Sequence, residues 1–279
     1  MTSLQKKSSQ SEADESGNNR SVAKKASTGG LARTVMLLEE ISQHGPLRFA
    51  QIQERLQLPK ATLHRALNEL QTERLVQFDE RSHTYHAGFR ILEIANHVWS
   101  RSDLRVLARD QLEHLCELST ETVQLSVHSD THAVYLDSVE SDNNIRMSMG
   151  VGTSIPLYCT GAGKALLALC PALQQRDIID RISFKAFTPN TITDKNRLLT
   201  ELNTIRQVGY AEDMEEHFAG IRCIAAPVVT CDGQTVAAIS ISGPTFRITD
   251  EQTQQWLQWL LEATLKISKR VAPTSTRIC

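Results

Sequence analysis

Three short stretches in the second half of the chain bring small, polar and ionisable residues together. The first is Cys159-Thr160-Gly161-Ala162-Gly163-Lys164, which comes just before an apolar, helix-like run. Glycines let a ligand approach the backbone closely, and the free N–H groups at a helix N-terminus attract an anion. The spacing does not fit a nucleotide-binding P-loop, which needs four residues between its glycines and a hydroxyl after the lysine. Anion binding and simple tight packing of a helix remain as the two interpretations.

The second stretch is Asp213-Met214-Glu215-Glu216-His217, which Gly220 to Cys223 follow closely. Carboxylates, an imidazole and a thiol are the groups of metal sites and nucleophilic enzymes, so a hydrolytic or lyase site of Cys223, Asp213 and His217 is one alternative. However, the stretch has no H-E-x-x-H motif and no regular ligand spacing. We therefore predict no metal site and no catalytic residues, and interpret the stretch as an acidic surface loop that leads into a strand.

The third stretch is Ile239-Ser240-Ile241-Ser242-Gly243-Pro244. Residues two apart share one face of a strand, so Ser240 and Ser242 point to the same side. Two hydroxyls on a half-buried strand are costly unless something bonds to them, and that partner is either neighbouring backbone or a small polar ligand. The pattern does not match the G-x-S-x-G nucleophile motif.

Residues 47–75 have a different pattern, that of two short helices joined by a tight turn. Phe49, Ile52 and Leu56 have helical spacing, Pro59 opens the second helix, and Leu63, Leu67 and Leu70 form its apolar stripe. The second helix contains residues that can face phosphates or base edges in a major groove: Lys60, Ala61, Thr62, His64 and Arg65. A helical hairpin with a solvated polar face is the alternative.

The flanking segments extend this pattern to a winged helix-turn-helix over residues 31–88. A helix with Leu31, Val35, Leu38 and Ile41 facing inward precedes it, and strands at 75–78 and 84–86 follow it as a hairpin. The loop of that hairpin is a wing, and its Arg81 and His83 can reach a phosphate backbone.

The remaining chain divides into a disordered tail (1–30), a linker helix (89–102), an α+β domain (103–270) and a polar C-terminal tail (271–279). The α+β domain is predicted to begin with a helix from Asp103 to Ser119. Strands at 123–127, 134–136 and 145–149 should follow, then a hairpin of 223–230 with 235–242, and a last helix from Asp250 to about Lys269.

Composition restricts the class of protein. The 279 residues are 41% hydrophobic and 22% charged, and they contain neither an apolar run of membrane-spanning length nor the apolar segment of a secretory signal. The six cysteines show no C-x-x-C pair, which suits a reducing compartment and predicts a cytoplasmic protein. Residues 31–88 carry seven basic and seven acidic side chains, so DNA binding would depend on local placement of charge and on a dimer or larger assembly.

The motifs together resemble the IclR family of bacterial transcription regulators over residues 31–270. The resemblance is carried by Leu58 to Leu67, by Pro156 to Ala168, by Gly209-Tyr210-Ala211 with Glu215-Glu216, by Gly220 to Pro227 and by Ser240 to Pro244. It implies a winged helix-turn-helix domain joined to a C-terminal effector domain with a curved antiparallel sheet flanked by helices. It also implies operator DNA and a small-molecule effector as partners, a homodimer or homotetramer, and no cofactor.

Within the family, the sequence looks most like the glyoxylate- or pyruvate-sensing members of the acetate operon repressor type. That resemblance implies effector-binding roles for Gly161, Ala162, Asp213, Cys223, Ser240 and Ser242. Because a carboxylate repels an anionic ligand, one hypothesis is that Asp213 accepts a hydrogen bond from the hydrated aldehyde of glyoxylate. A sugar acid such as 2-keto-3-deoxygluconate and an aromatic acid are the alternative effectors, repression and activation are both open, and a sensor that does not bind DNA is a further alternative.

Overall fold

The structure, a computed structural model, describes residues 29–99 and 103–271. The chain separates into two compact units, one ending at Arg101 and the other beginning at Ser102. The predicted N-terminal tail up to Thr28 and the C-terminal tail from Ala272 lie outside the described residues.

The first unit is a helix-turn-helix followed by a two-stranded hairpin. Its elements are α1 (Gly30–His44), α2 (Phe49–Leu56), α3 (Lys60–Thr72), β1 (Val76–Asp79), β2 (Thr84–Ala87) and α4 (Arg90–Trp99). Gln57 ends α2 in the left-handed conformation (φ 52°), and Pro59 caps α3 where a missing N–H costs nothing. The predicted helix-turn-helix is confirmed.

The core of the first unit forms where α1, α2 and α3 meet. Leu37, Ile41, Ile52, Leu63 and Leu67 are each no more than 1% exposed. The predicted inward face of α1 was partly wrong, because Leu31 is 80% exposed and Val35 46% exposed. The helix is rotated so that Leu37 occupies the core, and the apolar period along α1 alone did not distinguish these two faces.

The second unit is α+β, with a curved six-stranded antiparallel sheet of half-barrel form between helices. The strands are β3 (Thr122–Ser129), β4 (His132–Val139), β5 (Ser154–Pro156), β6 (Ala211–Met214), β7 (Ile221–Val229) and β8 (Thr235–Pro244), in the spatial order β5-β4-β3-β8-β7-β6. The helices are α5 (Asp103–Ser119), α6 (Gly161–Ala168), α7 (Ala172–Arg181), α8 (Lys195–Val208) and α9 (Asp250–Arg270). The predicted hairpin of the two late strands is confirmed as β7 and β8.

Helices cover both faces of this sheet. On one face, Val123, Leu125, Ile239 and Ile241 pack in one apolar cluster with residues of α5 and α9. On the other face, small side chains such as Ala225 and Ala238 pack in a cluster with residues of α6, α7 and α8. The alternation of apolar and polar residues along β3 therefore does not mark a solvent face, since Gln124 and Ser126 are both 0% exposed.

The predicted strand at 145–149 was wrong. No strand forms there, and the third strand of this part of the sheet is β5, which pairs with β4. The backbone carbonyls of the segment accept hydrogen bonds from side chains instead, since the Thr122 hydroxyl donates to Met147 O (2.7 Å) and Arg247 donates to Ile145 O (2.6 Å). Apolar residue types at 145, 147 and 149 had suggested a strand without revealing those partners.

Tight packing explains one of the two glycines in the first turn of α6. Thr160 caps the helix by accepting a hydrogen bond from the Gly163 N–H (3.1 Å), which brings Gly163 against the preceding turn. A Cβ at position 163 would lie 2.6 Å from Leu157 Cα and 2.7 Å from Leu157 O. Only glycine fits there without displacement of backbone.

We expect Gly163→Ala to lower the free energy of unfolding by about 1–3 kcal/mol, because the backbone clash outweighs the intrinsic helix preference of alanine, which favours it by only about 1 kcal/mol. Chemical denaturation measures the change. Gly150→Ala is the control, since a Cβ at Gly150 meets nothing within 4 Å. A Gly163→Ala protein as stable as the wild type would contradict the packing role.

Candidate effector site and nucleic-acid interface

A cavity lies between the start of α6 and the adjoining face of the sheet. The empty space there, counted together with the open solvent at its mouth, is about 310 Å³, and the wall includes all the sequence-predicted effector residues. These are Gly161, Ala162, Asp213, Cys223, Ser240 and Ser242. Three stretches that are separate in the sequence therefore meet at one site.

The register of three neighbouring strands sets the floor of the cavity. Ser242 of β8 is paired with Cys223 of β7, which in turn is paired with Asp213 of β6. Directly paired residues on one sheet face have Cβ atoms about 4.5–5.5 Å apart, so the hydroxyl, thiol and carboxyl form one polar row. Gly161 closes over this row, since a Cβ at position 161 would be 3.0 Å from Cys223 Sγ.

The start of α6 supplies hydrogen-bond donors to the cavity. The Gly163 N–H is occupied by the Thr160 cap, and the Lys164 N–H bonds to Thr160 O (2.9 Å). The N–H groups of Gly161 and Ala162 come before the first intrahelical bond and have no acceptor within the helix. Two N–H donors at the positive end of a helix dipole can bind a carboxylate or oxo group.

Several lining residues were not predicted. Tyr135, Ile155 and Phe218 line the cavity, although nothing in the sequence had singled them out. Tyr135 reaches this face because an irregularity in the β3–β4 pairing between Leu125 and Ser126 sets Tyr135 opposite Ser126. Nothing in the sequence of β4 signals that irregularity, since bulges change which face a residue occupies without a fixed residue signature.

Asp213 places a carboxyl group in the cavity wall, and only 5% of the residue is exposed. Burial raises its pKa to about 7, and the neighbouring charge of Glu216 adds to the rise, while the backbone N–H of Glu216 and the ammonium of Lys164 oppose it. Its Oδ1 accepts a hydrogen bond from the Glu216 N–H (2.6 Å). The prediction of an acidic surface loop was wrong for Asp213 and Glu216, because Asp213 is buried on β6 and Glu216 is buried in the turn that follows β6.

A buried lysine fixes the turn that follows Asp213. Lys164 of α6 is 1% exposed, and its Nζ donates to Glu216 Oε1 (2.5 Å) and Glu201 Oε1 (3.1 Å). Burial disfavours its charge, but the two carboxylates outweigh burial and raise the pKa of Lys164. The lysine of the predicted anion-binding stretch thus pairs with protein carboxylates and ties α6 to α8 and to the turn after β6.

The thiol and imidazole at this site are not arranged as a nucleophile and base. Burial raises the pKa of the Cys223 thiol to about 12, and burial lowers the pKa of His217 to about 4, so both groups are neutral at physiological pH. The His217 ring packs against Phe187 (4.8 Å between centroids) and Phe218 (4.1 Å). Reactive cysteines need a thiolate, which this environment disfavours. Among residues 29–99 and 103–271, no group of three His, Cys, Asp or Glu side chains is arranged to hold a metal ion.

The first unit has an exposed polar face on α3. Lys60, Ala61, His64 and Arg65 are exposed and Thr62 is half-buried. His64 stacks on Phe49 of α2 (4.3 Å between ring centroids), which fixes the direction of its imidazole, and Arg65 Nε lies 3.6 Å from Glu69 Oε1 one turn along the helix. The side chains predicted to face DNA therefore point away from the core.

The wing also has the predicted form. Arg81 and His83 are exposed in the turn between β1 and β2, and His83 has the left-handed conformation (φ 53°). The carboxylate of Asp79 accepts from the Arg81 N–H (2.8 Å) and from the Ser82 hydroxyl (2.8 Å), which shapes the turn. A bridge between Leu47 and Tyr85 attaches the hairpin to the start of α2.

A winged helix-turn-helix in one unit and a cavity with polar walls in the other are the combination expected of a DNA-binding transcription regulator with an effector domain. Residues 30–80 match the model of the IclR helix-turn-helix domain, and residues 96–269 match that of the bacterial transcriptional regulator IclR C-terminal domain. The chain therefore belongs to the IclR family of transcription regulators, and neither its fold nor its relatives are those of an enzyme.

Individual relatives agree with this assignment. An uncharacterized HTH-type regulator of Escherichia coli, RhmR, is 36% identical over 79% of this chain and 85% of its own length. The HTH-type transcriptional regulator KdgR of E. coli is 31% identical over 88% of this chain and 93% of its own length. The crystal structure of the Thermotoga maritima IclR protein matches with a TM-score of 0.68 and 30% identity, covering 86% of this chain and 97% of that one. None of the described helices is long and apolar enough to span a membrane.

The pKa of Asp213 predicts how the binding of an anionic effector depends on pH. Below about pH 7 Asp213 is protonated and can donate to the ligand, and above about pH 7 its negative charge repels an anion. We expect the affinity for a monoanionic acid to fall by up to tenfold per pH unit as pH rises above about 7. Calorimetry at a series of pH values measures this.

Asp213→Asn, which is neutral at every pH, should bind the same acid with an affinity that changes little over this range. Glu212→Gln is the matched control, because Glu212 is the adjacent carboxylate of β6 and lies near Arg222 (3.8 Å) rather than in the cavity wall. A wild-type affinity that stays constant between about pH 6 and pH 9 would show that Asp213 does not take part in this way.

Proposed function

We propose that this regulator binds operator DNA through α3 and the wing, and that a small 2-oxo acid, glyoxylate or pyruvate, modulates that binding and so controls small-carboxylate metabolism. The observation that carries the proposal is the row of Asp213, Cys223 and Ser242 beneath the free N–H groups of Gly161 and Ala162. The proposal includes a cytoplasmic location, because operator DNA lies in that compartment.

The cavity offers complementary groups to both ends of a 2-oxo acid. The N–H groups of Gly161 and Ala162 suit the carboxylate, and the hydroxyls of Ser240 and Ser242 can donate to the oxo group or accept from its hydrate. Protonated Asp213 adds a further donor without adding a negative charge. The enclosed setting strengthens these bonds, because little water competes for them.

The DNA-binding half of the proposal rests on α3. Lys60, Thr62, His64 and Arg65 would enter the major groove, while Arg81 and His83 of the wing would contact phosphates. Because a single unit has no excess of basic residues, we propose that a homodimer or homotetramer combines two or more such units on a pseudo-palindromic operator. An effector then shifts operator affinity only as far as it binds one conformation more tightly than another.

A hydroxylated sugar acid such as 2-keto-3-deoxygluconate is a second candidate effector. The Ser240 hydroxyl is 1% exposed and has no hydrogen-bond partner of ordinary geometry among the described residues. It lies close enough to the Cys223 thiol to affect its pKa, but a neutral thiol is a weak partner. A ligand with its own hydroxyls would satisfy such a group better than glyoxylate.

Titration calorimetry with glyoxylate, pyruvate, 2-keto-3-deoxygluconate and an aromatic acid tests the effector class. We expect at least one 2-oxo acid to bind with one site per chain, and Ser242→Ala to weaken that binding by about tenfold through the loss of one buried hydrogen bond. Heat from the aromatic acid alone would contradict the assignment of a 2-oxo acid.

Arg65→Ala tests the operator-binding face. We expect it to weaken binding to an operator fragment by about tenfold and, if Arg65 contacts phosphate, to reduce the slope of log affinity against log salt by about one. Arg197→Ala, which removes an exposed arginine of α8, serves as the charge-matched control. Fluorescence anisotropy over a range of salt concentrations gives both the affinity and the salt slope. Unchanged binding by Arg65→Ala would contradict this docking geometry.

A further inference from the structure

Strand β4 has a bulge beside the cavity, and the bulge turns two nearby side chains to opposite faces of the sheet. The residues paired with Tyr135 and Asp137 are consecutive on β3, so Leu136 is the extra residue of the bulge. Asp137 is paired with Leu125, which packs with α5 and α9, whereas Tyr135 lines the cavity on the other face. Residues 135–137, the bulge segment, therefore contact both the cavity and the helices behind the sheet.

On the cavity side, the bulge segment presents a phenol. Tyr135 is only 5% exposed. Burial raises its pKa, and the neighbouring Cys223 and Asp213 raise it further, so the hydroxyl is protonated at physiological pH. Among the described residues, none forms a hydrogen bond with this hydroxyl. A buried hydroxyl without a protein partner can donate to a ligand in the cavity.

On the opposite face, the bulge segment presents a buried carboxylate that two arginines of α5 hold. The side chain of Asp137 is 2% exposed. Its Oδ2 lies 3.2 Å from Arg105 Nε, and its Oδ1 lies 3.2 Å from Arg109 Nη1. The two arginines are one turn apart in the first two turns of α5. The bulge segment is thus joined by charge to the start of this helix.

The difference in burial determines how this junction responds to a shift of β4. The side chains of Arg105 and Arg109 are 43% and 42% exposed, so water could solvate them away from Asp137. Asp137 is buried and has no such replacement, and a buried carboxylate that loses its cations is strongly unfavourable. When Asp137 moves, we therefore expect the start of α5 to follow it rather than the ion pairs to break.

Helix α5 is the element by which the chain enters the second unit. That unit begins at Ser102, and α5 begins at Asp103. The first turns of α5 are consequently the part of the effector domain that lies next, along the chain, to the DNA-binding unit. A displacement of these turns acts directly on the connection between the two units.

We propose that the bulge segment couples the effector cavity to the DNA-binding unit. A ligand that accepts a hydrogen bond from the Tyr135 hydroxyl shifts the segment, and Asp137 passes this shift through its two arginines to the start of α5. Asp137 is a positioning residue, since it touches neither effector nor DNA. The inference rests on the proposed function, because it requires that a ligand in the cavity changes operator affinity.

Asp137→Asn tests this coupling in the full-length protein. Asparagine keeps the size of the side chain and removes the charge that makes α5 follow. Fluorescence anisotropy gives operator affinity with and without saturating glyoxylate or pyruvate, and calorimetry gives the affinity for the acid. We expect the acid to change operator affinity at least about fivefold in the wild type and less than about twofold in the variant. Affinity for the acid, and for operator without acid, should each stay within about twofold of the wild type.

Glu113→Gln is the matched control. Glu113 also binds Arg109, with 2.7 Å between Oε1 and Nε, but both residues belong to α5, so this ion pair joins no other element to the helix. Its variant should keep the wild-type coupling. If Asp137→Asn does not fold, Arg105→Gln replaces it, because Arg109 remains to neutralise Asp137, and a smaller loss of coupling is expected.

A double-mutant cycle tests the same segment without a ligand. Tyr135→Trp places a larger side chain in the cavity wall and should shift the segment directly. We expect it to change operator affinity at least about threefold in the wild-type background and less than about 1.5-fold in the Asp137→Asn background. Anisotropy on the four proteins measures this non-additivity.

Full coupling in Asp137→Asn would overturn the inference, as would additive effects of Tyr135→Trp and Asp137→Asn, and in both cases the proposed effector site would stand. Loss of acid binding by Asp137→Asn would also overturn it, because Asp137 would then act on the cavity itself. If a bound acid leaves wild-type operator affinity unchanged, the inference and the proposed function fail together. If neither glyoxylate nor pyruvate binds, the proposed effector fails, and the double-mutant cycle alone decides the inference.

Discussion

The effector domain depends on the close contact between the first turn of α6 and strand β7. Gly161 permits it, because any side chain at that position would meet the sulfur of Cys223. Lys164, one turn further along, secures the same helix by its buried ion pair with Glu216. Removal of one partner from such a pair leaves an uncompensated buried charge, which is far more costly than loss of the pair as a whole. The ion pair therefore couples the position of the N-terminal end of α6 to that of the turn after β6.

This arrangement determines the electrostatics of the cavity. Burial raises the pKa of the Asp213 carboxyl to about 7, and the paired charges of Glu216 and Lys164 act on that pKa in opposite directions. Since the folded-state pKa lies above that of the unfolded chain, the folded state holds this proton between about pH 4 and pH 7. The neutral carboxyl thus favours the folded state at low pH, and that contribution is lost as pH rises through this window.

Much of the organisation could be predicted from the sequence because it depends on local patterns. The turn at Gln57 and Pro59 gave the helix-turn-helix, and the resemblance gave the six residues that the structure brings to the cavity wall. What could not be predicted depends on partners far along the chain. Gln124 has the alternation expected of a half-exposed strand, and only the packing of helices on both sheet faces shows that it is buried. Tyr135 likewise needed the irregular β3–β4 pairing to reach the cavity.

Adjacent residues of strand β8 face two different environments, one polar and one apolar. Ser240 and Ser242 face the cavity, while Ile239 and Ile241 belong to the apolar cluster with α5 and α9. An insertion or deletion of a single residue in this strand would exchange the two faces. The isoleucine side chains would then enter the cavity, and the serine hydroxyls would enter the apolar cluster on the other face. Evolution of a new effector preference in this scaffold is consequently confined to replacing side chains in place, because changing the length of the central strand would destroy the pocket and the core together.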